Sequence, residues 1–154
     1  MAPMSQSLSA VYLHLVFSTK DRRSFLKDAD VRSTTHDYLG GIARDLDCSP
    51  IQVGGVEDHV HLLCRMGRQA TQADLIKELK RASSIWIKSR WPGMTEFSWQ
   101  GGYAAFSVSV SNLEKVKDYV VRQEEHHQKV DFRSELLAML KKHGLPWDER
   151  YLWE

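Results

Sequence analysis

The stretch GGVEDHVHLLCRM, residues 54–66, sets His59 and His61 one residue apart in a run that is otherwise apolar. Neutral imidazole is a common ligand for divalent metals, and two same-face neighbours on an extended strand lie within reach of one ion. The pair is therefore a candidate metal site. The plain alternative is one histidine bonded to a backbone group and the other exposed, and the HxH spacing alone does not separate the two. Asp58 could orient a histidine as an acceptor, although shaping a turn is the simpler account of it. Other chemistry has less to build on. Cys48 and Cys64 form no CxxC pair and read as small buried residues of a reducing compartment. Lys77, Lys80, Arg81, Lys88 and Arg90 crowd one segment, which suits a solvated helix surface or contact with nucleic-acid phosphates. Trp86, Trp91 and Trp99 could stack on unpaired bases, but large aromatics in a small domain more often serve as core.

The elements that must position these residues follow from periodicity. AVYLHLVFS (10–18) alternates and is rich in β-branched and aromatic residues, so it predicts a strand, with a polar connection after it. Val31, Tyr38, Ile42 and Leu46 recur at helical intervals through 29–47. Residues 50–56 and 59–66 predict two strands joined through Glu57-Asp58 as a hairpin. Residues 71–91 put Leu75, Leu79, Ala82, Ile85 and Trp86 on one helical face, with Thr71 as the cap and Pro92-Gly93 as the stop. Residues 97–100 and 103–110 have strand character. Residues 112–130 return to helical spacing with Asn112 as the cap, and a short helix before Gly144 and Pro146 precedes an aromatic tail.

The order strand, helix, strand, strand, helix, strand predicts an α+β fold, ferredoxin-like (RRM-like), with an antiparallel sheet, helices on one face and the other face open. Alternation sends Val60, Leu62, Cys64 and Met66 to the core and His59, His61, Leu63 and Arg65 to the opposite face. The 154 residues, 42% hydrophobic and 27% charged, are expected to form a single domain over 1–154. A net charge of +1 leaves any nucleic-acid contact to a local basic patch. The start MAPMSQSLSA has no signal-peptide pattern and no run approaches a membrane span, so a soluble cytoplasmic protein is expected, with no membrane partner.

In order, VYLHLVFSTKDRR, GGVEDHVHLL, LKRASSIWIK, WQGGYAAFSVS and DYVVRQEEHH resemble the single-tyrosine HUH transposases of small bacterial insertion sequences and their chromosomal relatives, the REP-associated tyrosine transposases. The resemblance runs from about Val11 to Leu152. It implies that His59 and His61 bind a divalent metal, Mg²⁺ or Mn²⁺, with Gln123 as third ligand, and that Tyr119, on a C-terminal helix, is the nucleophile. It further implies a single-stranded DNA endonuclease and strand transferase acting at hairpin-bearing element ends through a 5′-phosphotyrosine intermediate. A homodimer with shared active sites is implied as well, and the sequence leaves open whether the tyrosine helix serves its own chain or its partner.

The residues make physical sense of this. Tyr119 and Gln123 are four apart and share a helix face. Two imidazoles and an amide oxygen leave the cation's charge uncompensated, free to act on a phosphate. His126 and His127 lie on the same helix and read as a solvated polar face. Lys77, Lys80, Arg81 and Lys88 are the expected DNA contacts. Two other readings stand beside the transposase: a host-retained relative that nicks or binds chromosomal hairpin repeats, and a noncatalytic nucleic-acid-binding module. The module reading is weakened because HVHLLCRM lacks the paired aromatics of an RNA-recognition strand.

Overall fold

The computed structural model describes residues 5–150, 152 and 153. The first four residues of the N-terminal stretch, and Tyr151 and Glu154 of the tail, lie outside the described residues. Strand β1 (Tyr12–Ser18) leads through a 3₁₀ turn to helix α1 (Ala29–Asp45). The hairpin β2 (Ser49–Gly55) and β3 (His59–Arg65) follows, then α2 (Gln72–Arg90) and β4 (Ala104–Val108). The sheet order is β2-β3-β1-β4 with every pairing antiparallel, as the ferredoxin-like order requires.

The helix starts are set locally. The Asp28 side chain accepts from the backbone N–H groups of Asp30 and Val31, and Thr71 accepts from that of Asp74. Asn112, expected to cap the next helix, precedes it without a side-chain bond, since a 3₁₀ turn over Val110–Asn112 feeds straight into it. Residues 97–100 form no strand; only Thr19 and Trp99 make an isolated bridge. There Phe97 and Trp99 turn inward and pack edge-on against each other, with Trp99 also against Phe17.

One face of the sheet carries Leu15, Phe17, Val60, Leu62 and Cys64, which pack with Leu39 and Ala43 of α1 and Leu75, Leu79 and Ile87 of α2. Cys48 and Cys64 are buried free thiols there, and burial pushes the Cys64 thiol up to about 12. Trp86 stacks on Tyr38 and Trp99 donates to the Ser83 hydroxyl, so both indoles serve this layer.

The opposite face, expected to be open, is covered. Helix α3 (Leu113–Val121), the short α4 (Gln123–His126) and α5 (Phe132–Lys142) close over it. Val16 and Phe106 of the sheet meet Phe132, Leu136 and Leu140 of α5 in a second apolar cluster. Helix α3 seats so close on β2 that a Cβ at Gly54 would fall 2.3 Å from the Val120 carbonyl oxygen, so glycine is needed there. The reason is hydrophobic: these helices carry an apolar stripe that can be buried only against that face.

Candidate metal and nucleophile centre

His59 and His61 project from β3 onto the covered face, and both are fully buried. Two side chains fix their direction from behind. His59 Nδ1 lies 2.7 Å from Asp58 Oδ1; a carboxylate only accepts, so that nitrogen carries the proton and Nε2 faces inward. His61 Nδ1 lies 2.7 Å from Nε2 of the buried His14, which turns His61 Nε2 the same way. Asp58 is thus more than a turn residue, and His14 enters the site unforeseen.

Both inward nitrogens meet Glu135 of α5. Its Oε1 is 3.1 Å from His59 Nε2, 3.0 Å from His61 Nε2 and 3.1 Å from His127 Nε2. Gln123, also buried, points its amide oxygen at His59 Nε2 at 3.1 Å and donates its amide N–H to Glu135 Oε2 at 3.0 Å. The Tyr119 hydroxyl donates to the same Oε2. Its ring stands edge-on to His61 with centroids 5.7 Å apart. This arrangement brings together His59, His61, Gln123 and Tyr119.

The electrostatics follow from burial and from this one carboxylate. Burial pushes His61 down to about 4, against the pull of Glu135. Burial, with His61 beside it, takes His14 to about 3. Burial would lower His59 too, but its bonds to Asp58 and Glu135 outweigh that and raise it. Burial would raise Glu135, yet His127, His59 and His61 hold it far below the usual carboxylate range. Burial first, then the Glu135 carboxylate, raise the Tyr119 phenol above its ordinary value. The centre is thus a buried carboxylate ringed by imidazole nitrogens, with the phenol on its outer oxygen.

The donor set fits a divalent cation. His59 Nε2 faces two acceptor oxygens, of Glu135 and Gln123, which only a proton or a cation between them reconciles. The Nε2 of His127 is buried beside Glu135, 3.1 Å from its Oε1. His59, His61, His127 and Glu135 each offer a ligand atom, all within 4.8 Å of one another.

His127 thus faces inward rather than forming a solvated surface. Its signal lay in the spacing, since positions 119, 123, 126 and 127 recur on one helical face. The expected continuous helix is interrupted at Arg122 (φ −92°, ψ 21°) without losing that face. Sequence reading missed Glu135 altogether. Its signal was a glutamate on the apolar stripe of Phe132, Leu136 and Leu140.

The expected DNA contacts divide. Lys77, Arg81 and Lys88 are exposed, but α2 packs on the sheet face opposite the centre, and Arg81 is paired with Glu78. Lys80 turns inward instead: its ammonium donates to the carbonyl oxygens of Gln100 and Gly102, and burial lowers it to about 8. It ties the loop after residue 97 to α2. Beside Tyr119, a cleft of about 610 Å³ is lined by His14, Phe106, Lys115, Met139, Lys142 and His143. No described helix is long and apolar enough to cross a membrane.

Comparison with known proteins bears on the fold and the family. The chain is similar, with 26% identity and a TM-score of 0.64, to a provisionally assigned transposase from Deinococcus radiodurans R1; the match covers 80% of this chain and 98% of that one. A REP-associated tyrosine transposase bound to a REP hairpin shares the fold, with a TM-score of 0.60 at 14% identity over 84% of this chain and 76% of that one. No curated protein matches significantly. Residues 7–123 match the family model described as "Transposase IS200 like", a span that holds both histidines, Tyr119 and Gln123 but stops short of His127 and Glu135. The chain belongs to the IS200-like transposase family.

Proposed function

We propose that the chain, acting as one domain, is a metal-assisted single-stranded DNA endonuclease and strand transferase that cuts and rejoins hairpin-bearing element ends through a phosphotyrosine on Tyr119. The observation that carries this reading is the convergence of the Tyr119 hydroxyl, the His59 and His61 Nε2 atoms and the Gln123 amide on one buried carboxylate. His59, His61 and Gln123 would hold Mg²⁺ or Mn²⁺, and the bound cation would supply positive charge to a scissile phosphate.

The chain's own groups do the rest. Glu135 holds the Tyr119 hydroxyl in one orientation, so the attacking oxygen needs no search. A bond forms from that oxygen to phosphorus while the bond from phosphorus to the DNA 3′ oxygen breaks. The phenolic proton is lost, and the departing oxygen gains one and becomes a 3′-hydroxyl. One phosphoester replaces another, so rejoining needs no ATP. The cleft beside Tyr119 offers apolar walls in Phe106 and Met139 for a base, and Lys115 and Lys142 for its phosphates. Lys77, Arg81 and Lys88 on the far side would serve DNA arms distant from the cut.

The test incubates the full chain with single-stranded hairpin DNA from the flanks of its gene, with Mg²⁺ or Mn²⁺, and reads a covalent adduct on a denaturing gel. An adduct is expected with the hairpin and not with a perfect duplex, and Tyr119→Phe should yield none while melting as the parent does. A full adduct yield from Tyr119→Phe removes the nucleophile assignment. If the tyrosine helix serves its own chain, mixing Tyr119→Phe with a His59→Ala/His61→Ala double variant restores nothing. Recovered cleavage in that mixture would mean a homodimer whose sites exchange the tyrosine helix.

A further inference from the structure

We infer that Glu135 and His127, contributed by the chain beyond the family-matched segment, are metal ligands, and that the resulting three-imidazole, one-carboxylate set selects a transition-metal ion over Mg²⁺. The inference rests on the metal-assisted reading above and departs from a centre of two histidines and an amide.

Distance is the first argument. Metal–ligand bonds of about 2.1 Å in a tetrahedral centre place neighbouring ligand atoms about 3.4 Å apart. Glu135 Oε1 stands 3.0–3.1 Å from the Nε2 atoms of His59, His61 and His127, and no two of the four ligand atoms are more than 4.8 Å apart. Small side-chain shifts bring all four onto one ion.

Orientation is the second. Asp58 commits His59 Nδ1 to a proton, and His14 occupies His61 Nδ1, so each ring presents Nε2 to the interior. Metal-bound histidines characteristically have the far nitrogen engaged in this way. The His127 Nε2 atom is buried and lies 3.1 Å from the same oxygen.

The third is the placement of the carboxylate. Glu135 is 3% exposed on a helix face whose other members are Phe132, Leu136 and Leu140. A carboxylate on an apolar stripe is costly unless compensated. Among the described residues its ion-pair partners are histidines 59, 61, 126 and 127, and none is a lysine or arginine. Neutral imidazoles offer that carboxylate little formal charge, which a cation bound by the same nitrogens would supply.

Chemistry then sets the preference. Mg²⁺ favours oxygen ligands and retains several waters, whereas imidazole suits the first-row transition metals. A set with three nitrogens and one carboxylate oxygen is expected to bind Mn²⁺, and Co²⁺ still more tightly, ahead of Mg²⁺.

The test measures metal binding by the full chain directly, with calorimetry and chelator competition for Mg²⁺, Mn²⁺ and Co²⁺, and with the visible absorption of bound Co²⁺. One Co²⁺ per chain is expected, bound at least about 100-fold tighter than Mg²⁺. Glu135→Gln, which keeps the side chain's shape, should weaken Mn²⁺ and Co²⁺ by about 10-fold to 100-fold and alter the Co²⁺ spectrum. His127→Gln should do the same and stands in if Glu135→Gln melts early. Equal affinity for Mg²⁺ and Mn²⁺, absence of binding, or wild-type affinity in a folded variant of either residue overturns the inference. Parallel adduct assays keep the two claims apart. Tight Co²⁺ binding without any adduct sinks the nuclease reading alone, and a metal-dependent adduct with unchanged binding in Glu135→Gln sinks this inference alone.

Discussion

The two faces of the sheet are both buried, one by apolar contact and the other by an apolar cluster that surrounds a polar centre. Toward α1 and α2, strands β1 and β3 present Leu15, Phe17, Val60, Leu62 and Cys64, and the layer is held by apolar contact. Toward α3 and α5, the intervening positions present His14, His59 and His61, closed over by Gln123, His127 and Glu135. Apolar burial stabilises without direction, while a buried polar group must find a partner or cost free energy. The first face contributes stability alone, and the second combines its apolar cluster with reactive groups held in fixed geometry.

Removing an anchor from the apolar face should show this most strongly. Leu62 is fully buried, and Leu62→Ala deletes methyl groups where both helices press on the sheet. A loss of about 2–5 kcal/mol is expected in urea unfolding. Adduct formation per folded molecule should be unchanged at temperatures where the variant stays native. A Leu62→Ala protein with normal stability and impaired chemistry would reverse the roles assigned to the two faces.

Gly54 tests the coupling between them. A Cβ there meets the Val120 carbonyl oxygen at 2.3 Å and the Val120 side chain at 3.0 Å, so Gly54→Ala must push α3 outward. Overpacking of this kind costs about 1–3 kcal/mol. Tyr119 neighbours Val120 on that helix, so the adduct rate should fall by about 10-fold to 100-fold as the hydroxyl moves off its position. Gly93→Ala, where an added Cβ meets nothing within 4 Å, is the matched control. If the two substitutions behave alike, the close seating of α3 on β2 does not position Tyr119.

Much of this was legible in the residues, and what was not has physical causes. Alternation along β3 sorted His59 and His61 from Val60, Leu62 and Cys64 without error, because side-chain period in a strand is fixed at two. Thr71 could be named as a cap because its side chain competes for a nearby backbone N–H. Closure of the second face was hidden: α3 and α5 are short, and their docking is set by tertiary burial of Val120, Phe132, Leu136 and Leu140. Glu135 was hidden for the same reason. A glutamate is read as surface by type, and only its apolar neighbours on the helix argue otherwise. Lys80 misled in the opposite sense, since a long stem lets its ammonium reach two carbonyls past the side of Phe17.

The smallest expected effect asks whether acid sensitivity belongs to the site face alone. His36 lies on α1, in the layer behind the apolar face, and its Nε2 is buried without a hydrogen bond. Burial first, then the neighbouring Arg32, push it down to about 4 against the opposing pull of Glu124, with smaller pushes from His59 and His61. An unfolded imidazole titrates near 6.5, so between these two values the unfolded chain binds a proton that the folded chain refuses. The stability linked to neutral His36 is therefore complete above about pH 6.5 and is lost progressively as pH falls toward 4. His36→Leu removes that share. Unfolding free energies from urea titrations at pH 7.5 and 5.5 should differ less in the variant than in the parent, by about 1 kcal/mol. Part of the acid slope should survive, because His14 and His61 on the site face are pushed down as well, to about 3 and about 4. An unchanged slope in His36→Leu would assign the whole acid response to the imidazoles around Glu135.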